Sequence, residues 1–233
     1  MRVVRLKMHQ NMARFKIANA PEGVDCYPLP PFSTVNGFIH SMCQWKSYHK
    51  LDFFITGKGV YNTDFRSEWH GGHKFNKINE EEIKRWDVIV DNADGSHTGW
   101  VRSSKIKSVL VDLDTVIYIK TFDDSDVDDI YNALLNPPAY PSLGEYGDTC
   151  IIEDVAVIEL KEFAQPQTGK LAMPAYIPVN KQRFIGTVYS LNYRYDVVRG
   201  IRMFEKVKCS LVDKGQEVES CLFDNDNPVV FIN

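Results

Sequence analysis

The chain has no pair of cysteines at C-x-x-C spacing. Its five cysteines (Cys26, Cys43, Cys150, Cys209 and Cys221) are odd in number and widely spread. That argues against a disulfide framework or a zinc ribbon and for a reducing compartment. No apolar run approaches the ~20 residues that a membrane-crossing helix needs. The start, MRVVRLKMHQ, alternates apolar and basic residues instead of building a signal-peptide core. A cytoplasmic protein without membrane contact is expected. The Gly-Lys-Ser/Thr of a P-loop is missing, which leaves nucleotide hydrolysis unsupported. No G-x-S-x-G nucleophile motif occurs either. His70 and His73, in EWHGGHK, have a spacing that could suit a metal but lack an acidic or cysteine partner in a recognisable motif. No metal and no cofactor are expected.

What is present suits a folded domain of 233 residues, 44% hydrophobic and 25% charged. The net charge of −4 is segregated along the chain. Residues 1–50 carry seven Lys or Arg against Glu22 and Asp25, and residues 170–208 carry eight against Asp196 and Glu205. The stretch between them holds eleven basic and twenty-two acidic residues. Two basic segments far apart in sequence can form one face for a polyanion if the fold joins them. Two solvated faces with no partner are the alternative.

Val3–Met8 reads as a half-buried strand, with Val4, Leu6 and Met8 on one face and Val3, Arg5 and Lys7 on its open side. A Pro-rich loop follows. Ser33 or Thr34 then caps a helix carrying Val35, Phe38, Ile39, Met42 and Trp45 at helical spacing. Gly37 weakens its first turn, which suggests close approach by another backbone or a ligand. Leu51–Thr56 is a second strand. Residues 57–107 are polar, with little long-range periodicity, and are too long for an ordinary connection; they read as a projecting insertion. Near its end, Trp86–Val90 and Gly99–Ser103 flank an Asp94-Gly95 hairpin turn. Val109–Thr121 is a long strand. Ser125, with Asp128 in capping-box position, starts a helix carrying Val127, Ile130, Tyr131 and Leu134. Cys150–Leu160 is a fourth strand. This order, β-α-β-(insertion)-β-α-β, is that of an α+β, ferredoxin-like or RRM-like split βαβ domain over residues 1–161. Residues 162–233 offer strands at Ile185–Tyr193, Met203–Leu211 and Val229–Ile232, a small C-terminal β extension.

Sheets of this topology often stack RNA bases on the face opposite the helices, but the first strand shows no aromatic pair and the RRM signature is absent. Loops and insertion are better candidates. The loop YPSLGEYGDT places Gly144 and Gly147 where backbone N–H groups could approach phosphate, or where a tight turn is needed. Tyr189, Tyr193, Arg194, Tyr195, Arg199 and Arg202 interleave aromatic with basic residues, which suits stacking plus phosphate neutralisation and also suits an ordinary strand. His40 and His49 could act as general bases in metal-free RNA cleavage. For His40 the favoured reading is a helix-face residue bonded to a backbone carbonyl.

Three stretches carry a family resemblance: Ala13-Arg14-Phe15-Lys16 after a basic first strand, PLPPFSTVNGFIH at 28–40, and Tyr140-Pro141-Ser142-Leu143-Gly144 after the second helix. In that order the chain resembles the CRISPR-associated Cas-five family, RAMP subunits of type I Cascade, and most of all type I-B members. The likeness covers residues 1 to about 160. It implies a subunit that binds the repeat-derived 5′ handle of a crRNA, holds one end of the Cas-seven backbone and contacts the large, Cas-eight-type subunit, meeting target DNA only within the complex. The insertion would match the family's thumb. Arg14, Lys16, Ser142, Gly144, Arg102, Lys105 and Lys107 carry over as handle contacts, beside Arg194, Arg199 and Arg202 from the basic-aromatic segment. One branch, type I-C, cleaves precursor RNA with Tyr, Lys and His. His40, Tyr48 and His49 are available here but match no such motif, and type I-B systems use a separate nuclease. No catalysis is expected; metal-independent endoribonuclease is the alternative.

Overall fold

The first strand, β1 (Arg2–Ala13), buries Val4, Leu6 and Met8 as its alternation predicts. In the computed structural model, which describes residues 1–17, 20, 25–145 and 147–233, β1 lies inside one large antiparallel sheet. Glu22, counted above with the N-terminal segment, and Tyr146 of the glycine loop fall outside the described residues. The chain continues through α1 (Phe32–Met42), β2 (Leu51–Phe75), α2 (Glu80–Arg85), β3 (Val88–Asp91), β4 (His97–Thr121), α3 (Ser125–Leu135) and β5 (Ile151–Glu159). The order β5-β1-β4-β2, with both long helices on one face, is the split βαβ arrangement. The α+β, ferredoxin-like expectation therefore holds.

Both helices start differently from the cap patterns in the sequence. The N-cap of α1 is Pro31, whose carbonyl receives Thr34 N–H (2.9 Å) and Val35 N–H (3.1 Å); Ser33 and Thr34 lie inside the helix. At α3 the Asp123 carboxylate, not a Ser125–Asp128 box, accepts from Ser125 N–H (3.0 Å) and Ser125 Oγ (2.8 Å), while Asp128 pairs with Arg2 (2.6 Å). Gly37 is exposed, and a Cβ there would meet nothing within 4 Å, so no backbone of this chain approaches it.

β2 and β4 outrun the sheet. Their pairing continues to Phe75↔His97 as a two-stranded ribbon whose residues are largely exposed. No regular apolar alternation is legible there because the ribbon residues are largely exposed on both faces. At the tip, β3 pairs with β4 from Val88↔Trp100 to Asp91↔His97. The helix α2 is capped by Asn79, which accepts from Glu82 N–H at 2.9 Å; the sequence analysis had not marked it.

The C-terminal part is larger than expected. β7 (Ala175–Pro178), β9 (Ile201–Val212) and β8 (Val188–Val198) extend the main sheet beyond β2. β6 (Lys161–Lys170), β10 (Glu217–Asp224) and β11 (Asn227–Val229) form a second sheet. Val218, Val229, Val230 and Phe231 pack with Val3, Phe54 and Tyr118 in a core separate from the one beneath the helices. Arg5 and Lys7 are therefore not on an open face. Arg5 reaches Asp224 (3.0 Å) and Asp154 (3.3 Å), and Lys7 reaches Asp154 (3.6 Å). No helix among the described residues is long and apolar enough to cross a membrane.

The C-terminal chain is pinned at one buried carboxylate. Asp52 is fully buried and accepts from Phe53 N–H (2.9 Å), Ile232 N–H (3.4 Å) and Asn233 N–H (2.9 Å). Its removal strands these donors inside the fold. Asp52→Ala is expected to lower unfolding free energy by about 3 kcal/mol, measured by urea denaturation. Glu217→Ala, which removes only an exposed pair with Lys170, should cost under about 1 kcal/mol.

Candidate nucleic-acid interface

The loop after α3 is built around an anion that belongs to the chain itself. The Asp148 carboxylate accepts from Arg14 N–H (2.8 Å) and Glu145 N–H (2.8 Å), and burial pushes its pKa up. Gln10 Nε2 donates to Leu143 O at 2.9 Å and stitches the loop to β1. Gly144 takes φ +130°, where a Cβ would sit 2.5 Å from Asp148 Oδ2 and 3.0 Å from Arg14 O. The glycine serves this turn. The amides of Arg14 and Glu145 are spent on Asp148. The Arg14 side chain is 5% exposed and ion-paired with Glu145. It acts as a latch between the end of β1 and the loop. Ser142, bridged to Thr149, and Lys16, bridged to Cys26, remain exposed on either side.

On the ribbon, basic residues are largely neutralised at home. Lys107 pairs with Glu68 and lies 3.9 Å from Glu145; Lys105 lies 3.5 Å from Glu68. The Lys107 ammonium, with Lys105, holds the Glu68 carboxyl below its ordinary range. Arg102 donates through Nε to Ser67 Oγ (2.8 Å) and makes no ion pair among the described residues. His70 has Glu68 at 3.9 Å, while the His73 ring stacks on Trp86. Among the described residues no group of three or more potential ligands could hold a metal.

The C-terminal strands differ. Lys181, Arg183, Arg199, Arg202, Lys206 and Lys208 are exposed, Arg194 is half-buried, and none of them makes an ion pair among the described residues. Arg199 and Gly200 (φ +52° and +77°) form the turn joining β8 to β9, as a two-residue hairpin requires. Between Asn192 and Tyr195 the register of β8 shifts, a bulge that breaks strict alternation at Arg194. Arg194 lies over the Tyr193 and Phe122 rings (4.5 and 5.1 Å), and Arg202 lies over Tyr195 (4.9 Å). Tyr195 meets Tyr48 edge-on at 4.9 Å. Lys50 and Lys120 also approach Phe122, at 4.7 and 5.4 Å. The sequence analysis did not place Lys50, Lys120 or Phe122 here. They come from the start of β2 and the end of β4, and no local signal links them to β8.

His40, Tyr48 and His49 do come together. The His40 ring stacks on Tyr48 (5.6 Å) and meets His49 at 6.1 Å. Both nitrogens of His40 are engaged: Nδ1–H donates to Asn36 O (2.9 Å), and Nε2 accepts from His49 N–H (3.0 Å). These contacts select the neutral ring, and burial pulls its pKa below the ordinary value. His49 Nδ1 faces buried Asp126 at 2.9 Å, and its ring stacks on Trp45 at 3.9 Å. The carbonyl-bonded reading of His40 is the one the geometry supports.

No protein-family model and no curated protein matches this chain. Among solved structures, one described as a CRISPR RNA-guided surveillance complex is 18% identical, spans 94% of this chain and 92% of its own, and has a TM-score of 0.55. A CRISPR protein from Archaeoglobus fulgidus is 10% identical over 99% of this chain and 98% of its own, with a TM-score of 0.44. A type III-B Cmr-beta complex bound to cognate target RNA and AMPPnP is 14% identical over 92% and 86%, at 0.43. The first shares the fold along nearly the whole chain. This is an α+β protein with the fold of a CRISPR surveillance-complex component.

The glycine loop supports a direct test. Gly144→Ala forces a side chain into a left-handed backbone position and onto the Asp148 carboxylate. It should destabilise by about 1–3 kcal/mol, read as a lowered melting temperature and faster proteolysis within residues 139–149.

Proposed function

We propose that this chain is a non-catalytic RNA-binding subunit of a type I CRISPR interference complex, most like those of type I-B. In this reading it holds the repeat-derived 5′ handle of the guide, caps a backbone of Cas-seven subunits and contacts a large, Cas-eight-type subunit. The observation that carries the reading is the set of cations on β8 and β9 that make no ion pair among the described residues, beside the rings of Tyr48, Phe122 and Tyr195. Phosphate neutralisation plus base stacking is how single strands are held. The shared fold with a CRISPR RNA-guided surveillance complex supplies the context. The second sheet covers part of the face where RRM-type binding would occur, which leaves loops, ribbon and the β8–β9 side for RNA.

Binding without catalysis is the reading supported by His40, whose Nε2 lone pair is taken by a backbone amide. Protonation there would break the contact that holds His49. Purified protein incubated with repeat RNA in EDTA should leave the RNA intact. Cleavage that His40→Ala or His49→Ala abolishes would reverse the assignment.

Affinity should be steeply salt-dependent, and a guide with its 5′ handle should bind at least tenfold more tightly than the same RNA without it. Fluorescence anisotropy at two salt concentrations measures both. Equal affinity for the handle-less RNA would refute handle recognition.

A further inference from the structure

A hollow of about 290 Å³ opens at the base of the β8–β9 hairpin, lined by Tyr48, Lys50, Arg194, Tyr195, Asp196, Met203 and Glu205. Lys50, Lys120 and Arg194 each lie within 5.4 Å of the centre of the Phe122 ring, itself 47% exposed. Lys120 donates to Asn233 O (3.3 Å), and none of the three cations pairs with an Asp or Glu side chain among the described residues. Three like charges around one ring repel one another, and the ring's quadrupole offsets that only in part. Arg194 adds a second anomaly: its Nε and one terminal nitrogen are shut off from solvent and have no hydrogen-bond partner. A guanidinium with stranded donors in a folded protein calls for an acceptor that is not part of the chain. Lys50 and Arg194 belong both to this cluster and to the lining of the hollow, so an anion seated there would meet two of its three cations.

We propose that this hollow is a subsite for one nucleotide of a bound RNA strand. Its phosphate sits between Lys50 and Arg194, and its base lies against the Tyr48–Tyr195 pair. Asp196 and Glu205, which also line the hollow, would repel a bare inorganic anion and could accept hydrogen bonds from a base edge, so the hollow favours a nucleotide. This assignment rests on the RNA-binding reading above and specifies where that binding is strongest. It also uses the bulge in β8, which turns Arg194 away from ordinary alternation while Tyr193 stays in the core.

The test uses the full chain and a single-stranded RNA of repeat sequence carrying 4-thiouridine. Photocrosslinks should fall in the peptides containing Tyr48 or Tyr195. Lys50→Gln, at an exposed position, and Arg194→Gln should each weaken binding about tenfold. Each should also flatten the log–log salt dependence by roughly 0.7, the value for one lost phosphate contact on a single strand. Lys214→Gln, exposed and remote from the hollow, should bind as wild type does. If wild-type protein binds RNA but both variants keep its affinity and salt slope, with crosslinks elsewhere, the subsite is wrong and the RNA-binding reading stands. If wild-type protein binds no RNA at any salt, both fall. If polyglutamate competes as well as RNA does, the hollow is a site for acidic protein and the assignment is wrong.

Discussion

Arg5 on β1 and Asp224 on β10 meet at 3.0 Å between the two sheets, and Tyr118 Oη donates to the same carboxylate at 2.9 Å. Both charged side chains are mostly covered, at 21% and 14% exposure. A pair this well covered stabilises modestly when intact and is costly when one partner is removed, because the other charge is then left buried. Asp154 adds a second carboxylate to Arg5. The contact orients the smaller sheet over Phe54 and Tyr118, the aromatics that an RRM-like platform would have offered to bases. The covered face is thereby committed to packing.

That commitment changes what charge means elsewhere in the molecule. On β1 and the ribbon, Arg2, Arg5, Lys7, Arg66, Lys105 and Lys107 all have carboxylate partners within 4 Å. They hold strands in register or bind loops to strands, and a phosphate would have to displace a carboxylate to reach them. On β8 and β9 no such exchange is needed, since the cations there pair with no carboxylate among the described residues. Two segments that look equally basic along the chain therefore differ in what they can do. The N-terminal one spends most of its charge on the fold, and the C-terminal one leaves most of its charge without ion pairs among the described residues.

This difference marks the limit of what the sequence could show. Elements with one buried face were legible, because Val4, Leu6 and Met8, or Val127, Ile130 and Leu134, repeat at the period of their element. Those periods yielded the β-α-β…β-α-β order and with it the fold class. The ribbon was visible only as a lack of pattern, since residues exposed on both sides carry no period to read. Pairings across long separations left no local trace. Arg14 and Glu145 are 131 residues apart, Arg5 and Asp224 are 219 apart, and in each case a basic residue in a suggestive place turned out to have an acidic neighbour. The interface was half legible: Arg194, Arg199 and Arg202 stood out beside tyrosines, whereas Lys50, Lys120 and Phe122 join them only through the order of strands in the sheet.

The segment between α1 and β2 shows how fold and interface are joined. His40 bridges Asn36 O to His49 N–H, and His49 in turn meets Asp126 of α3 while its ring lies flat on Trp45. These contacts fix the path of residues 43–50 between a helix and a strand. Tyr48 projects from that path toward Tyr195, and Lys50 toward Phe122. The histidines resemble a catalytic cluster in composition, and each ring nitrogen of His40 already has a structural task. Proton transfer at His40 would loosen the segment that presents Tyr48 and Lys50. A site arranged in this way gains from keeping its histidine neutral, because the neutral ring is the one that holds the binding surface in place.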